Sequence, residues 1–220
     1  MLDSTSHQLA DFLIQVYLKI KIEVLAATVL LADETTHKML EGDETPNWYL
    51  WGFFSEIASY FETHNTRSGD VAFEFLKDSN AKFLVTDGYP GYGKAIKQIK
   101  KDFKREIIEA ACTAHAVRYF KEASTTWKEE CTPFLDLYAD IYKLEEQRKV
   151  EEDNLTDKEQ LKLRDQMITL FNELKIKSEE ALPDAMAESS FKKAINYFLN
   201  HYAGLTLCTR NIDLPLDNNH

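Results

Sequence analysis

Positive charge is what this chain most conspicuously lacks. Its 26 Lys and Arg residues face 37 Asp and Glu, leaving a formal net charge of −11. A protein that holds nucleic acid by its own surface charge is usually basic. Any nucleic-acid contact here is therefore local, metal-mediated or aided by another domain. Glycine and proline are also scarce, at 7 and 5 of 220 residues, which argues against long disordered stretches. Cys112, Cys131 and Cys208 are odd in number and far apart. That argues against a disulfide framework and for a reducing, cytoplasmic setting. No basic-then-apolar signal peptide is read at the start. The longest apolar stretch, residues 24–32, is far shorter than the roughly 20 residues of a spanning helix, so no membrane is expected as a partner. What the chain does have is a 44% hydrophobic and 29% charged composition, that of a globular protein with a real core. Its length fits one domain, or one domain with a large insertion.

Two short apolar runs each end in an aspartate: Val29-Leu30-Leu31-Ala32-Asp33 and Phe83-Leu84-Val85-Thr86-Asp87. Continuous apolar runs of this length suit strands buried on both faces. An acid at the end of such a strand is fixed in place at a sheet edge. Before the first run, Leu9, Phe12, Leu13, Val16, Tyr17, Ile20 and Val24 recur at helical spacing and make one apolar stripe, with Ser4 or Ser6 as cap. Thr45-Pro46-Asn47 breaks the chain. Residues 48–54 and 59–63 read as two further strands. Ser68-Gly69-Asp70 opens a helix, residues 82–86 form the second strand-Asp unit, and Gly88-Tyr89-Pro90-Gly91-Tyr92-Gly93 reads as a turn. A helix over residues 94–105 follows, then residues 107–114, which read as a strand, although Glu109-Ala110-Ala111 would also fit a helix. From Pro133 to Ala203 the pattern is helical throughout.

The expected fold class is α/β: the order helix, strand-Asp, two strands, helix, strand-Asp, helix, strand resembles a ribonuclease-H-like mixed sheet with flanking helices, with an all-helical insertion expected in the second half. The expected segments are an N-terminal helix (1–26), the core (27–132), the insertion (133–205) and the start of a final core element (206–220). In a ribonuclease-H-like sheet the first and fourth strands lie side by side and parallel, which brings Asp33 and Asp87 within reach of one ion. Two readings of the pair stand at this point: strand-end aspartates capping turns, or half of a divalent-cation site. Close carboxylates repel, and a cation removes that penalty. Glu34 is expected on the opposite face, as a non-ligand.

The remaining candidates also carry two readings each. The glycine-rich run has no Lys-Ser/Thr end in register for a phosphate loop, so it is a strand-to-helix turn. Tyr89 and Tyr92 could still stack on a base or sugar. Cys112-x-x-His115 has zinc-like spacing, but zinc takes four ligands, and only Cys131 and His201 could complete them. A structural role or a DNA-facing His115 is the other reading. Lys94, Lys97, Lys100, Lys101, Lys104 and Arg105 form the one basic cluster, either a phosphate-facing surface or a solvated helix face. His115, Arg118 and Lys121 could extend it. The charged stretch 143–177 is a solvated helical pair, or a coiled-coil surface with its seam broken at Asp153-Asn154 and Asp157.

Four ordered blocks carry a family resemblance. They are Ala32-Asp33-Glu34-Thr35, Thr86-Asp87-Gly88-Tyr89-Pro90-Gly91-Tyr92, the run from Ala111-Cys112 through His115 and Arg118 to Phe120, and Leu216-Asp217-Asn218-Asn219. Together they resemble the central catalytic region of the insertion-sequence-66 family of bacterial transposases. The resemblance implies a DDE core, with Asp33 and Asp87 as its first two acids and the helical block as the family's insertion. It implies metal-assisted phosphodiester hydrolysis, then transfer of the freed 3′-hydroxyl to target DNA, with two Mg²⁺ or Mn²⁺ ions as cofactors. Transposon-end DNA and target DNA would be the substrates, a homo-oligomer the active form, and the bacterial nucleoid the place of action. Tyr89, Tyr92, Lys94, Lys97, His115 and Arg118 would face DNA. The family's third acid is a Glu shortly after the last block. The sequence ends at His220 without it, so Asp217 is carried as a further ligand candidate, and both ends are expected to be cut. The competing expectation is a transposon remnant that folds but does not cut DNA. An in-frame Glu just downstream would decide for the enzyme.

Overall fold

A computed structural model describes residues 2–38, 47–150 and 155–218. The expected breaks at Thr45-Pro46 and Asp153-Asn154, and Asn219 of the last block, lie outside the described residues, as does the side chain of Ser4. The chain divides into two compact units, Met1–Glu109 and Ala110–His220.

The first unit opens with helix α1 (Leu2–Ala26), strand β1 (Val29–Lys38), strand β2 (Asn47–Phe54) and strand β3 (Ser59–His64). Helix α2 (Gly69–Leu76), strand β4 (Phe83–Thr86) and helix α3 (Pro90–Phe103) follow. Strand β5 (Ile108–Ala111) completes a mixed five-stranded sheet in the order β3-β2-β1-β4-β5. β1 pairs antiparallel with β2 and parallel with β4, the adjacency expected for the first and fourth strands.

One face of this sheet carries Leu30, Ala32, Trp51, Phe53 and Leu84 into a core closed by Val71, Phe75 and Leu76 of α2 and by Tyr92, Ala95 and Ile99 of α3. Phe53 stacks on Phe75 with centroids 3.7 Å apart. The two helices approach closely because Gly69 and Gly91 meet: a Cβ on Gly69 would run into the Gly91 carbonyl. Ser68 caps α2, its side chain accepting from Asp70 N.

Three elements differ from the expectation. Helix α3 starts at Pro90, not Lys94, because proline at the first helical position has its φ already set and loses no needed donor. Gly91, Tyr92 and Gly93 are thus helical, and Gly88 alone makes the turn, at φ 81°. β1 continues to Lys38, past its apolar run, because β2 pairs with it along that length. The apolar stripe of α1 is mostly exposed, with Phe12 80% and Val16 53% accessible. Only its last turns dock, through Val24 and the partly buried Ile20 and Leu25. The Tyr17 hydroxyl also bonds to Tyr60 Oη and Phe61 O.

The second unit is helical: α4 (Thr113–Ala123), α5 (Lys128–Val150), α6 (Asp157–Ala181), α7 (Ser190–Leu205) and a 3₁₀ turn at Leu207–Thr209. Its core stacks Phe120 on Phe134 at 4.8 Å and sets Phe191 and Tyr138 against them. Helix α5 begins at Lys128 and runs through Pro133. Thr156 and Glu159 form a capping box that starts α6. Arg164, almost wholly buried on α6, donates to the carbonyls of Cys208, Ile212 and Leu214. It thereby fixes the segment that follows α7.

Candidate metal centre

The parallel register aligns Leu31 with Val85. Asp33 and Asp87 each lie two residues further on. Side chains alternate with a period of two, so Asp33 shares the face of Leu31, opposite the aromatic core, and Asp87 follows β4 directly. A carboxylate oxygen of Asp33 and one of Asp87 lie within 4.8 Å of each other. Across the other ladder Asp33 faces Gly52, where the rings of Phe54 and Phe61 close over the missing side chain. One oxygen of each acid is held by a backbone donor from the residues just after it. Glu34 N donates to Asp33 Oδ1 at 3.0 Å, and Tyr89 N donates to Asp87 Oδ1 at 2.8 Å.

Glu34 takes the opposite face, as the pleat requires, and is buried. Its Oε1 accepts from Arg67 Nε and Nη2 at 2.9 and 2.6 Å, and its Oε2 accepts from the Tyr92 hydroxyl at 2.5 Å. Burial pushes the Glu34 carboxyl up, the Tyr92 and Arg67 hydrogen bonds pull it down, and the Asp87 charge pushes it up again. Burial, with Glu34 beside it, also holds the Tyr92 hydroxyl well above the usual phenol range, so it stays a donor. The Arg67 guanidinium lies 4.3 Å over the Tyr89 ring, and the Tyr89 hydroxyl donates to Arg67 O at 2.6 Å.

Tyr92 is therefore a correction. Expected to meet a base or sugar, it is fully buried, because α3 begins early enough to turn that ring into the core against Trp51. Tyr89 is half-buried under Arg67. Lys94 and Lys97 are exposed on α3, with Lys94 Nζ 3.8 Å from Asp70. Lys100 pairs with Glu106 at 2.7 Å. Lys101 and Lys104 are also exposed. Arg105 instead turns inward and donates to the Leu76 and Lys77 carbonyls. Sequence reasoning missed Arg67 altogether; it sits in a short polar connection with no pattern of its own, 33 residues from the acid it holds.

In the second unit His115 is buried and Arg118 exposed, both on α4. Among the described residues Cys112 and His115 do not fall in one metal-holding cluster. Cys112 Sγ lies 3.0 Å from Asn218 Oδ1 and accepts from Asn218 N at 3.4 Å. Burial pushes its thiol up. Among the described residues no cysteine belongs to a cluster able to hold a metal. Asp217 is buried, its Oδ2 accepting from the Tyr142 hydroxyl at 2.7 Å. Leu216 O accepts from Thr113 N at 3.1 Å. The last block is thus tied to the start of α4 and to α5.

Two carboxylates this close are hard oxygen donors of the kind Mg²⁺ and Mn²⁺ take, and the donor set fits such an ion. No curated protein matches the chain. The family model described as Transposase IS66 family matches residues 1–220. Matched from end to end, the chain belongs to the IS66 family of transposases.

Proposed function

We propose that this chain is the catalytic core of a DNA transposase with a ribonuclease-H-like fold, cutting transposon-end DNA and joining it to target DNA. The observation that carries this reading is the approach of Asp33, on β1, and Asp87, just past the parallel strand β4, to within 4.8 Å. The sheet order supports the fold assignment, and the helical stretch over residues 133–205 is read as the insertion in that core.

Asp33 and Asp87 are the residues that hold the metal. Two carboxylates this close repel, and a divalent cation removes that penalty, so the pair is poised when the cation is supplied. When bound, a pair of Mg²⁺ or Mn²⁺ ions supplies activation of the attacking oxygen and stabilisation of the leaving one. The protein's part is placement. The strands β1 and β4 fix the two backbones, and the amides of Glu34 and Tyr89 orient the carboxylates. In-line positioning and charge neutralisation, rather than a covalent intermediate, then account for the rate. Lys94, Lys97 and Lys101 on α3, with Arg118 on α4, are the side chains proposed to meet DNA phosphates. The working form is proposed to be a homo-oligomer on two DNA ends, in the bacterial cytoplasm at the nucleoid.

The test is Mn²⁺-dependent nicking of transposon-end DNA. Asp33→Asn and Asp87→Asn are each expected to abolish it. Nicking that survives both substitutions removes the pair from the chemistry, and a parent chain that never nicks favours a folded, non-cutting remnant.

A further inference from the structure

Asp33, within β1, and Asp87, just past β4, each accept a backbone amide from one connected set of residues. Glu34 follows Asp33 directly and lends its amide to Asp33 Oδ1. Its carboxylate receives two donors from Arg67 and one from Tyr92. The Arg67 guanidinium carbon lies 4.3 Å from the centre of the Tyr89 ring, and the Arg67 carbonyl receives the Tyr89 hydroxyl. Tyr89 in turn lends its amide to Asp87 Oδ1. The path runs from one acid to the other without a break, through residues from β1, the β3–α2 connection and the start of α3.

Resting on the metal-site reading above, we propose that Glu34, Arg67 and Tyr89 are positioning residues that set the separation and orientation of the Asp33 and Asp87 carboxylates for the cation. Three features give the brace stiffness. Arg67 presents two of its donors to one oxygen in the rigid geometry of a guanidinium. The cation–π approach of Arg67 to the Tyr89 ring holds the two side chains together. The Glu34 side chain is wholly buried, so its charge has no water to turn to and stays with its partners. A carboxylate so far from solvent would be a costly feature without a structural duty. Here the duty is to tie the residue after Asp33 to the turn that carries Asp87.

Removing residues that orient metal ligands typically costs 10- to 100-fold in metal affinity. The experiment measures Mn²⁺ binding to the full chain by the electron paramagnetic resonance signal of free Mn²⁺, with circular dichroism as a check on folding. Arg67→Gln and Tyr89→Ala are expected to weaken Mn²⁺ binding about 10- to 100-fold, and Arg67→Lys to recover only part of the loss. Arg105→Gln is the control. It removes another arginine of the same unit, one that among the described residues donates to the Leu76 and Lys77 carbonyls, and it is expected to bind like the parent. If Arg67→Gln does not fold, Arg67→Lys and Tyr89→Ala carry the test. Parent-like affinity in these variants overturns the brace while leaving the site intact. Equal losses in Arg105→Gln overturn it too, since general loosening would then explain them. A parent chain that binds no Mn²⁺ more tightly than Asp33→Asn fails the site reading itself, and the brace with it.

Discussion

Asp33 and Glu34 are neighbours with the same charge, yet the pleat sends them to opposite faces of the sheet. One is placed beside Asp87, and the other is buried among Arg67 and Tyr92. Burial has a different consequence for the cysteines. It pushes the Cys131 thiol up to about 11 and Cys208 up to about 12. A raised folded-state value means the folded chain binds the thiol proton more tightly than the unfolded chain. That contribution to stability is complete below about pH 9 and is lost as pH rises through 11 and 12. At pH 8 an aromatic disulfide reagent should therefore leave Cys112, Cys131 and Cys208 unlabelled in the native protein and label all three in denaturant. Rapid native labelling of Cys131 or Cys208 would contradict the packing described. At this scale the sequence made Asp33, Asp87 and the far-side placement of Glu34 readable, because a buried apolar run and a period of two decide them. The partners of Glu34 were not readable. Arg67 reaches it only because the β2–β3 hairpin returns the chain to the same place, and no local pattern encodes that return.

Elements were legible where periodicity was clean and obscured where glycine or proline masked it. The run Gly88-Tyr89-Pro90-Gly91-Tyr92-Gly93 has the composition of a turn, yet proline at the first helical position carries α3 through most of it. That difference moves Tyr92 from a surface to a core. Pro133 looks like a boundary, but α5 passes through it. The stripe on α1 is apolar without being buried over most of its length, since periodicity reports which face could pack, not whether a partner surface is there. The start of α6 is the reverse case. Thr156 and Glu159 satisfy each other's backbone donors in a capping box, a signature written in local sequence. Thr156→Ala should lower stability by about 1 kcal/mol, measured by urea unfolding at fixed m-value. A variant as stable as the parent would show that this helix end does not depend on its cap.

Across the whole molecule, acidity and function pull in opposite directions. With a net charge of −11, the chain repels DNA at long range, and the exposed lysines of α3 are the local exception. Lys97 and Lys101 are exposed on that helix, and neither forms an ion pair among the described residues. The double variant Lys97→Glu, Lys101→Glu should weaken DNA binding to a similar degree on every sequence. It should flatten the salt dependence by roughly two units of slope, about 0.9 for each phosphate left without its lysine. An unchanged slope would assign those lysines to a solvated face. The mixed sheet and the helical second half were legible in the order of apolar runs and turns, and the family in four ordered blocks that its model matches over residues 1–220. The division at Glu109–Ala110 has no signal in composition, because the chain passes it within a strand.

The central claim is that Asp33 and Asp87 share a divalent cation. Anomalous scattering from crystals grown with Mn²⁺ tests it most directly. A peak is expected between Asp33 and Asp87, with an oxygen of each aspartate about 2.1 Å away, near the distance Mg²⁺ demands. Strong manganese density elsewhere, with both carboxylates unligated, would contradict it.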